Sequence, residues 1–350
     1  MDEINKKELE QFIQEGTPFL KEKKLYVVCN TKSHKLEYEN FDTFDIRTEY
    51  LSDNEFEQVD SMLNKCLHVE KYFFDETEFI SFICNNPVDI KNMMIYNSAQ
   101  SGTGIGRKSL IPAFCASRGI TITGSNSYSV ALCRHKYHVI KLLEIHGLCV
   151  PKTYLYDNGW VSEKPQLGEK YILKPIYESS SIGINQDSII CFDTSTTKLI
   201  EAKQNEMKQP IIVQQFIKGY EAETPCIVTK KYKFILNPVG ITLSSADKIM
   251  GENILDYHRV YFDDYSFFDM KETSLDIEKM KSDTNLVVKI LGLSGLCRVD
   301  FRIDECGCCY VTDVSTNPHF VHHSSVSYAF EQLSLSPETI IKTILCATLI

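Results

Sequence analysis

Residues 296–317 constrain the fold more than any other segment, because apolar and charged side chains alternate strictly from Cys297 to Asp304. Such alternation is typical of a β-strand with one buried face. The charged face carries four residues: Arg298, Asp300, Arg302 and Asp304. Gly307 indicates a turn, and a second alternating strand follows it. On that strand we expect three residues to share one face: Val311, Asp313 and Ser315.

This hairpin is expected to hold two carboxylates opposite each other. A tight turn centred on residues 306–307 pairs Asp300 with Asp313 and Arg298 with Ser315. Opposed Cβ atoms lie roughly 5 Å apart, and carboxylates that close repel unless a cation or a proton lies between them. A hard divalent cation with oxygen ligands, Mg²⁺, suits the pair. A solvated acidic face flanked by arginines is the alternative that the pattern leaves open.

A second pattern joins a lysine to a serine-rich loop. Lys174 ends an apolar stretch, and Glu178-Ser-Ser-Ser-Ile-Gly183 follows it. Backbone N–H groups and hydroxyls in such a loop can close over phosphate oxygens, while the lysine neutralises their charge. The spacing differs from that of a P-loop. An ordinary surface loop is the alternative.

A third pattern is the apolar run Ile211–Ile217, which contains Gln214 and Gln215. An extended segment of this kind can offer backbone N–H and C=O groups to an adenine edge. Glu221, a few residues on, can accept hydrogen bonds from ribose hydroxyls. A plain β-strand is the alternative.

The remaining patterns predict an α/β N-terminal domain followed by α+β structure. Short apolar runs at 25–29 and 93–96 are typical of buried parallel strands. Residues 127–147 predict one long helix, capped by Ser127 or Ser129. Beyond residue 171 we expect short antiparallel strands and a helix over 277–291.

Charge and cysteine usage narrow the class of partner. The chain has 37 Lys and Arg against 47 Asp and Glu, a formal net charge of -10, which disfavours non-specific nucleic-acid binding. No apolar run reaches the roughly 18 residues of a membrane helix, so we predict no membrane partner. The 13 scattered cysteines, without a secretory signal at the N-terminus, predict a cytoplasmic protein with free thiols.

In this order, with a helix bearing Lys136, the patterns resemble those of the ATP-grasp ligases, and within them of the D-alanine–D-alanine ligase family. The similarity covers roughly residues 93–325 and rests on ITGSNSYSVALCRHK, VPKTYLY, YILKPIYESSSIGI, IIVQQFIKGYE and CRVDFRIDECGCCYVTDVSTNP. It implies that ATP lies between two α+β subdomains and phosphorylates a carboxylate, which an amine then attacks to give an amide. The implied domains are an N-terminal α/β domain (1–125), a central subdomain (126–208) and a C-terminal subdomain (209–350). The resemblance also implies that the partners are a small-molecule carboxylate and a small-molecule amine. It leaves open whether the chain forms a homodimer.

The resemblance also implies individual roles. Lys136 and Lys174 would contact the ATP phosphates, and a mobile loop would cover them. The loop residues are Glu178, Ser180 and Ser181. The adenosine contacts would be the Gln215 and Ile217 backbone, the nearby Gln214 side chain and, for the ribose, Glu221. The metal ligands would be Asp300, Asp313 and Ser315, and the catalytic residues Arg298, which stabilises the oxyanion, and Ser181.

Several positions depart from the family pattern. His135 stands where the family usually has Asp, and Asp313 stands where it usually has Glu. Ser315 stands at the position of the usual metal-binding Asn. His319 replaces a glycine, and Arg259 is the closest cation to an expected phosphate-binding lysine. Because Ser315 is a weaker ligand than Asn, we expect Mn²⁺ to serve as well as Mg²⁺.

The first-substrate segments differ as well. The segment CNTKSHKLEYENF has no glycine-rich loop with a substrate-binding glutamate, and NSAQSGTGIGRK is also changed. The sequence therefore favours an ATP- and Mg²⁺-dependent ligase of amino acids or small peptides. The alternatives are D-alanine–D-alanine ligation, a catalytically degenerate nucleotide-binding or regulatory protein, and a transition-metal site formed by the C-terminal cysteines and histidines (His319, His322, His323).

Overall fold

The structure, a computed structural model, describes residues 2–34, 49–101, 105–161, 163–243, 247–321 and 323–350. Three sheets organise these residues. None of the helices in the described ranges combines the length and the apolar character needed to cross a bilayer.

The N-terminal sheet is parallel, with strand order β2-β1-β3-β4. Its strands are β1 (Lys24–Cys29), β2 (Val69–Phe73), β3 (Met93–Ser98) and β4 (Thr121–Ile122). Four helices belong to this part: α1 (Asp2–Leu20), α2 (Asp53–Cys66), α3 (Glu76–Asn85) and α4 (Leu110–Arg118). The predicted parallel strands at 25–29 and 93–96 are confirmed, because β1 and β3 are neighbours and mostly buried.

The central sheet is antiparallel, with strand order β5-β8-β6-β7. It contains β5 (Thr153–Tyr156), β6 (Lys170–Pro175), β7 (Ile189–Cys191) and β8 (Ile211–Gln215). Helices α5 (Ser127–Arg134) and α6 (Lys136–Ile145) precede it, and α7 (Thr196–Met207) lies between β7 and β8.

The C-terminal sheet is antiparallel, with strand order β12-β11-β9-β13-β14 and β10 paired to β9. Its strands are β9 (Tyr220–Val228), β10 (Lys233–Ile235), β11 (Val239–Thr242), β12 (Ser266–Asp269), β13 (Gly295–Ile303) and β14 (Cys309–Ser315). Its helices are α8 (Tyr257–Phe262), α9 (Ile277–Leu291), α10 (Ser325–Gln332) and α11 (Pro337–Ala347). Helix α9 spans the predicted residues.

The sheets and cores cross the predicted domain limits. The limit at residue 208 falls before β8, yet β8 hydrogen-bonds to β5 and β6 of the central sheet. At the other end, Ile341 and Leu345 of α11 share a core with Leu9 and Phe12 of α1. The division into three domains stays a prediction, and strand pairing would move its second limit to follow β8.

The single helix predicted over 127–147 is wrong, because His135 interrupts it. His135 has φ -94° and ψ 83°, outside the helical region, and its Nδ1 accepts a hydrogen bond from the His138 N–H.

The caps predicted for α5, Ser127 and Ser129, are wrong as well. Asn126 is the N-cap, and its side-chain oxygen accepts from the Ser129 N–H at 3.0 Å. The break sets Arg134 and Lys136 on either side of a bend.

A bulge in the β13–β14 hairpin preserves the predicted carboxylate pair. Next to the turn Phe301 pairs with Val311, but beyond the irregularity Asp300 pairs with Asp313. The turn is wider than predicted, since Asp304 Oδ1 accepts from the N–H groups of Cys306 and Cys308. The two differences cancel at the acidic pair. The shared face predicted for Val311 and Asp313 is wrong, because the bulge turns Val311 into the core.

The capping difference can be tested by stability. We expect Asn126→Ala to lower the free energy of unfolding by about 1 kcal/mol, the usual cost of losing an N-cap. Ser127→Ala is the matched control and should change it by less than about 0.5 kcal/mol. Urea denaturation followed by circular dichroism measures both. A larger loss in Ser127→Ala than in Asn126→Ala would contradict the assigned cap.

Candidate active site

A cavity of about 580 Å³ collects nearly all the predicted site residues. The predicted residues that line it are Lys136, Lys174, Glu178, Ser180, Ser181, Gln214, Gln215, Ile217, Glu221, Arg298, Asp300, Asp313 and Ser315. Arg259 is absent from this wall. Its Nη1 donates to the Ile254 carbonyl at 2.8 Å, and the guanidinium lies 3.8 Å from Asp256 Oδ2. The cavity is therefore shared by the central and C-terminal sheets, as the resemblance implied.

The two aspartates of the hairpin have different partners. Arg298 forms a bidentate pair with Asp300, at 2.7 Å from Nε to Oδ1 and 2.9 Å from Nη2 to Oδ2. Asp313 instead forms an ion pair with the Lys136 ammonium, and its Oδ1 accepts from the Val314 N–H at 2.9 Å. The carboxylate repulsion expected from the sequence is thus balanced by one cation on each side.

These partners separate the pKa values of the two carboxyls. Burial raises the pKa of Asp300, with the nearby Asp313 adding to the rise and Arg298 opposing it. Burial alone would raise the pKa of Asp313 too, but Lys136 and Lys174 bring it below its ordinary value. A further positive charge between the strands would favour the ionised form of both groups.

Lys174 is held at the end of β6 by a buried glutamine. Its Nζ donates to Gln214 Oε1 at 2.8 Å, and Gln214 Nε2 donates to Thr153 Oγ1 at 3.2 Å. Burial lowers the pKa of Lys174 to about 8, so the ammonium is still mostly charged at pH 7. Gln214, predicted to lie beside adenine, also orients this lysine.

Arg302 organises the predicted adenosine side of the cavity. Its Nη1 lies 2.9 Å from Glu221 Oε2, and its Nε donates to the Ile217 carbonyl at 3.0 Å. Gly219 keeps the chain close to β13, since a Cβ there would lie 1.9 Å from the Ile303 carbonyl oxygen and the φ of +147° disfavours side chains.

The serine-rich loop is held at both ends. Glu178 Oε2 lies 2.8 Å from Arg107 Nη2, and Ser181 Oγ donates to the Leu255 carbonyl at 2.6 Å. Ser180 and Ser181 both have left-handed backbone angles, φ 51° and 54°. Non-glycine residues adopt this region at a cost, which is consistent with a loop that its contacts hold in place.

Sequence reasoning missed Glu223, which lies on β9 opposite Asp300. Its Oε1 is 2.9 Å from Arg298 Nη2, and burial raises its pKa to about 7. Glu223 thus holds the other side of the arginine that pairs with Asp300. The alternation in Tyr-Glu-Ala-Glu at 220–223 could have revealed that Glu223 shares the face of Glu221.

His319 and His323, the two described histidines that follow the hairpin, have different partners. His319 Nε2 lies 3.2 Å from Glu55 Oε1, whereas the ring of His323 packs against Tyr265 and Phe267. His322 lies outside the described residues. So do residues 35–41 of the first segment predicted to differ from the family's substrate loops (29–41), and residues 102–104 of the second (97–108). The described part of the chain gives the transition-metal alternative no support.

The hairpin suits a metal that is held jointly with phosphates. Within the described ranges, no group of three His, Cys, Asp or Glu side chains could hold a metal ion alone. Mg²⁺ in nucleotide sites is commonly bound by one or two carboxylates together with phosphates and water. Asp300 and Asp313, with Ser315 in the same cavity, could supply the protein's share of such a set.

A family model described as "D-ala D-ala ligase C-terminus" matches residues 156–346. The chain belongs to this family. A D-alanine–D-alanine ligase of Nitrosomonas eutropha is 24% identical over 227 residues, 64% of this chain and 69% of that protein. D-alanine–D-alanine ligase B of Chromobacterium violaceum is 27% identical over 216 residues, which are 60% of this chain and 66% of that protein. These matches span about two thirds of the relatives' length, and the relatives are ATP-grasp ligases that form C–N bonds.

Solved structures show that the whole fold is shared with the D-Ala-D-Ala ligase family. The D-alanine–D-alanine ligase of Bacillus anthracis complexed with ATP has a TM-score of 0.66, with 15% identity over 93% of this chain and 97% of that one. The VanG D-Ala:D-Ser ligase of Enterococcus faecalis has a TM-score of 0.62, with 16% identity over 93% of this chain and 99% of that one. The α/β domain joined to an α+β ATP-grasp fold is thereby confirmed.

The position of Lys174 predicts a loss of nucleotide affinity on mutation. Lys174→Ala should weaken ATP binding roughly 10- to 100-fold, because it removes a charge-assisted contact. Lys170→Ala is the matched control on the same strand, since Lys170 pairs with Glu252 at the surface, and its affinity should stay within about twofold. Isothermal titration calorimetry gives both values. Unchanged affinity in folded Lys174→Ala would exclude Lys174 from the nucleotide site.

Proposed function

We propose that the chain is an ATP- and Mg²⁺-dependent carboxylate–amine ligase that forms an amide or peptide bond between amino acids or small peptides through an acyl phosphate. The observation that carries this proposal is the Asp300–Asp313 pair in the same cavity as Lys136 and Lys174. Two carboxylates and two ammonium groups around one cavity match the needs of a metal–triphosphate complex.

Each residue then has a definite task. Lys136 and Lys174 neutralise phosphate charge, and the backbone N–H groups of Ser180 and Ser181 donate from the loop that closes over the phosphates. Mg²⁺, when bound, offsets the charge that develops during phosphoryl transfer. Arg298, fixed between Asp300 and Glu223, stabilises the oxyanion that forms when the amine attacks. A fixed guanidinium needs little reorganisation at that moment.

Ligation of two D-alanines is the second candidate, and the names of the relatives favour it. The two changed first-substrate segments weigh against it, because CNTKSHKLEYENF has no glycine-rich loop with a substrate-binding glutamate and NSAQSGTGIGRK also departs from the family pattern.

A catalytically degenerate nucleotide-binding protein is the rival from another class. Ser315 and His319, together with the position of Arg259 outside the cavity wall, motivate it. Such a protein would bind ATP without turning it over.

Turnover of ATP separates these candidates. With ATP and Mg²⁺, we expect ADP release only when an amino acid is added, across a panel containing D-alanine, L-amino acids and dipeptides. A response confined to D-alanine would favour the second candidate. Nucleotide binding with no release across the whole panel would favour the degenerate protein and defeat the ligase proposal.

The acidic pair should govern rate more than folding. Asp300→Asn and Asp313→Asn should each lower kcat roughly 100- to 1,000-fold and raise the Mg²⁺ concentration needed for half-maximal activity, because each removes a metal ligand. Steady-state ADP release over a Mg²⁺ titration measures both effects.

The matched control for these variants is Glu305→Gln, on the turn of the same hairpin. Glu305 pairs with Lys218 at the surface, where ion pairs contribute little, so its rate and its Mg²⁺ requirement should match those of the wild-type protein. Wild-type Mg²⁺ dependence in both folded aspartate variants would remove the metal from this pair.

A further inference from the structure

A cluster of buried charges lies where the N-terminal domain meets the serine-rich loop. It consists of Glu49, Arg107, Lys108, Arg134 and Glu178, which we call the cationic cluster. The side chains of Glu49, Arg107 and Arg134 are at most 6% exposed. All but Arg107 line the cavity.

The carboxylates of the cluster are already fully engaged. Glu49 lies 2.9 Å from Lys108 Nζ and accepts from the Ser179 N–H at 3.1 Å. Glu178 lies 2.8 Å from Arg107 Nη2 and accepts from Gln209 Nε2 at 2.8 Å. Burial alone would raise the pKa of Glu49, but the three cations bring it well below its ordinary value. Glu49 is therefore ionised, and among the described residues it lies beside three cations: Arg107, Lys108 and Arg134.

Of these three cations, Arg134 has the weakest ion pairing among the described residues. Its closest ion-pair contact, to Glu49 Oε2, is 3.8 Å, longer than a hydrogen bond. Its Nε is buried without a hydrogen-bond partner among the described residues. A buried guanidinium with unmade hydrogen bonds is costly unless something else accepts them. Because Arg134 lines the cavity, a ligand there can be that acceptor.

We propose that Arg134 and Lys108 form a subsite for a second anionic group on the carboxylate substrate, one that ATP does not activate. The substrate is then an acidic amino acid or a related dicarboxylate. This inference rests on the proposed ligase function. The Asp300–Asp313 wall serves the reacting carboxylate and ATP, and the cationic cluster recognises the far end of the molecule.

Two other uses of the cluster lead to different results. If Arg134 served only to anchor the loop, its loss would affect acidic and neutral substrates equally. If it bound the terminal phosphate of ATP, its loss would weaken nucleotide binding and leave the choice of substrate unchanged.

The first measurement needs no variant. ADP release is compared for glutamate against glutamine and aspartate against asparagine, in both enantiomers, at saturating ATP and Mg²⁺. We expect kcat/KM at least tenfold higher for the acidic member of one or more pairs. A separate binding arm titrates glutarate and its monoamide into protein saturated with a non-hydrolysable ATP analogue and Mg²⁺, and glutarate should bind at least tenfold more tightly.

The variants locate the preference. Arg134→Gln should lower kcat/KM for the acidic member roughly 10- to 100-fold, the effect of one charge-assisted contact, while the neutral member and the KM for ATP stay within about twofold. Arg118→Gln, at the exposed end of α4, is the matched control and should leave every value unchanged. Lys108→Gln is measured in the same way and replaces Arg134→Gln if that variant does not fold.

The two arms keep this inference separate from the proposed function. Tighter binding of glutarate, lost in Arg134→Gln, without any turnover would support the subsite and defeat the ligase proposal. Turnover with no acidic preference in either arm would leave the ligase intact and overturn the subsite. Equal losses for both members of a pair, or a loss confined to ATP, would also overturn it.

Discussion

The cavity depends on one electrostatic constraint: Asp300 and Asp313 face each other across two strands and are each neutralised from a different side. Arg298 holds the first carboxylate and Lys136 holds the second. In a partly buried setting such as this one, unpaired charges of one sign would be more costly than in water. The surrounding side chains follow from this need, because Glu223 fixes the arginine and Lys174 adds positive charge near Asp313. A metal–nucleotide complex would enter a site whose charges are already in position.

Local pattern predicted the strands β1 and β13, because alternation and apolar runs report burial directly, and it also predicted the helix α9. The break at His135 was not predictable in this way, since its cause is a side-chain hydrogen bond to the His138 N–H that competes with the helix. The acidic pair was predicted from a tight turn, although the actual loop is wider and a bulge restores the register. The predicted pairing of Asp300 with Asp313 was therefore right, but the prediction included neither the wider turn nor the bulge.

The cationic cluster could not be predicted from sequence, because its members are distant along the chain. Glu49, Arg107 and Glu178 meet only when the N-terminal domain, the turn before α4 and the loop after β6 come together. No spacing rule connects them, whereas the hairpin residues are neighbours in sequence as well as in space. The acidic pair lies on one hairpin and could therefore be predicted from the sequence. The cationic cluster, which we propose to recognise the substrate, is visible only in the folded chain.

The central claim is that Asp300 and Asp313 hold a divalent metal together with nucleotide phosphates. The most direct measurement is a crystal structure of the protein with a non-hydrolysable ATP analogue and Mn²⁺, with the metal located by anomalous scattering. The account predicts an anomalous peak within about 2.3 Å of both carboxylates, with the terminal phosphates beside Lys136 and Lys174. A bound nucleotide with no metal near either aspartate would contradict it.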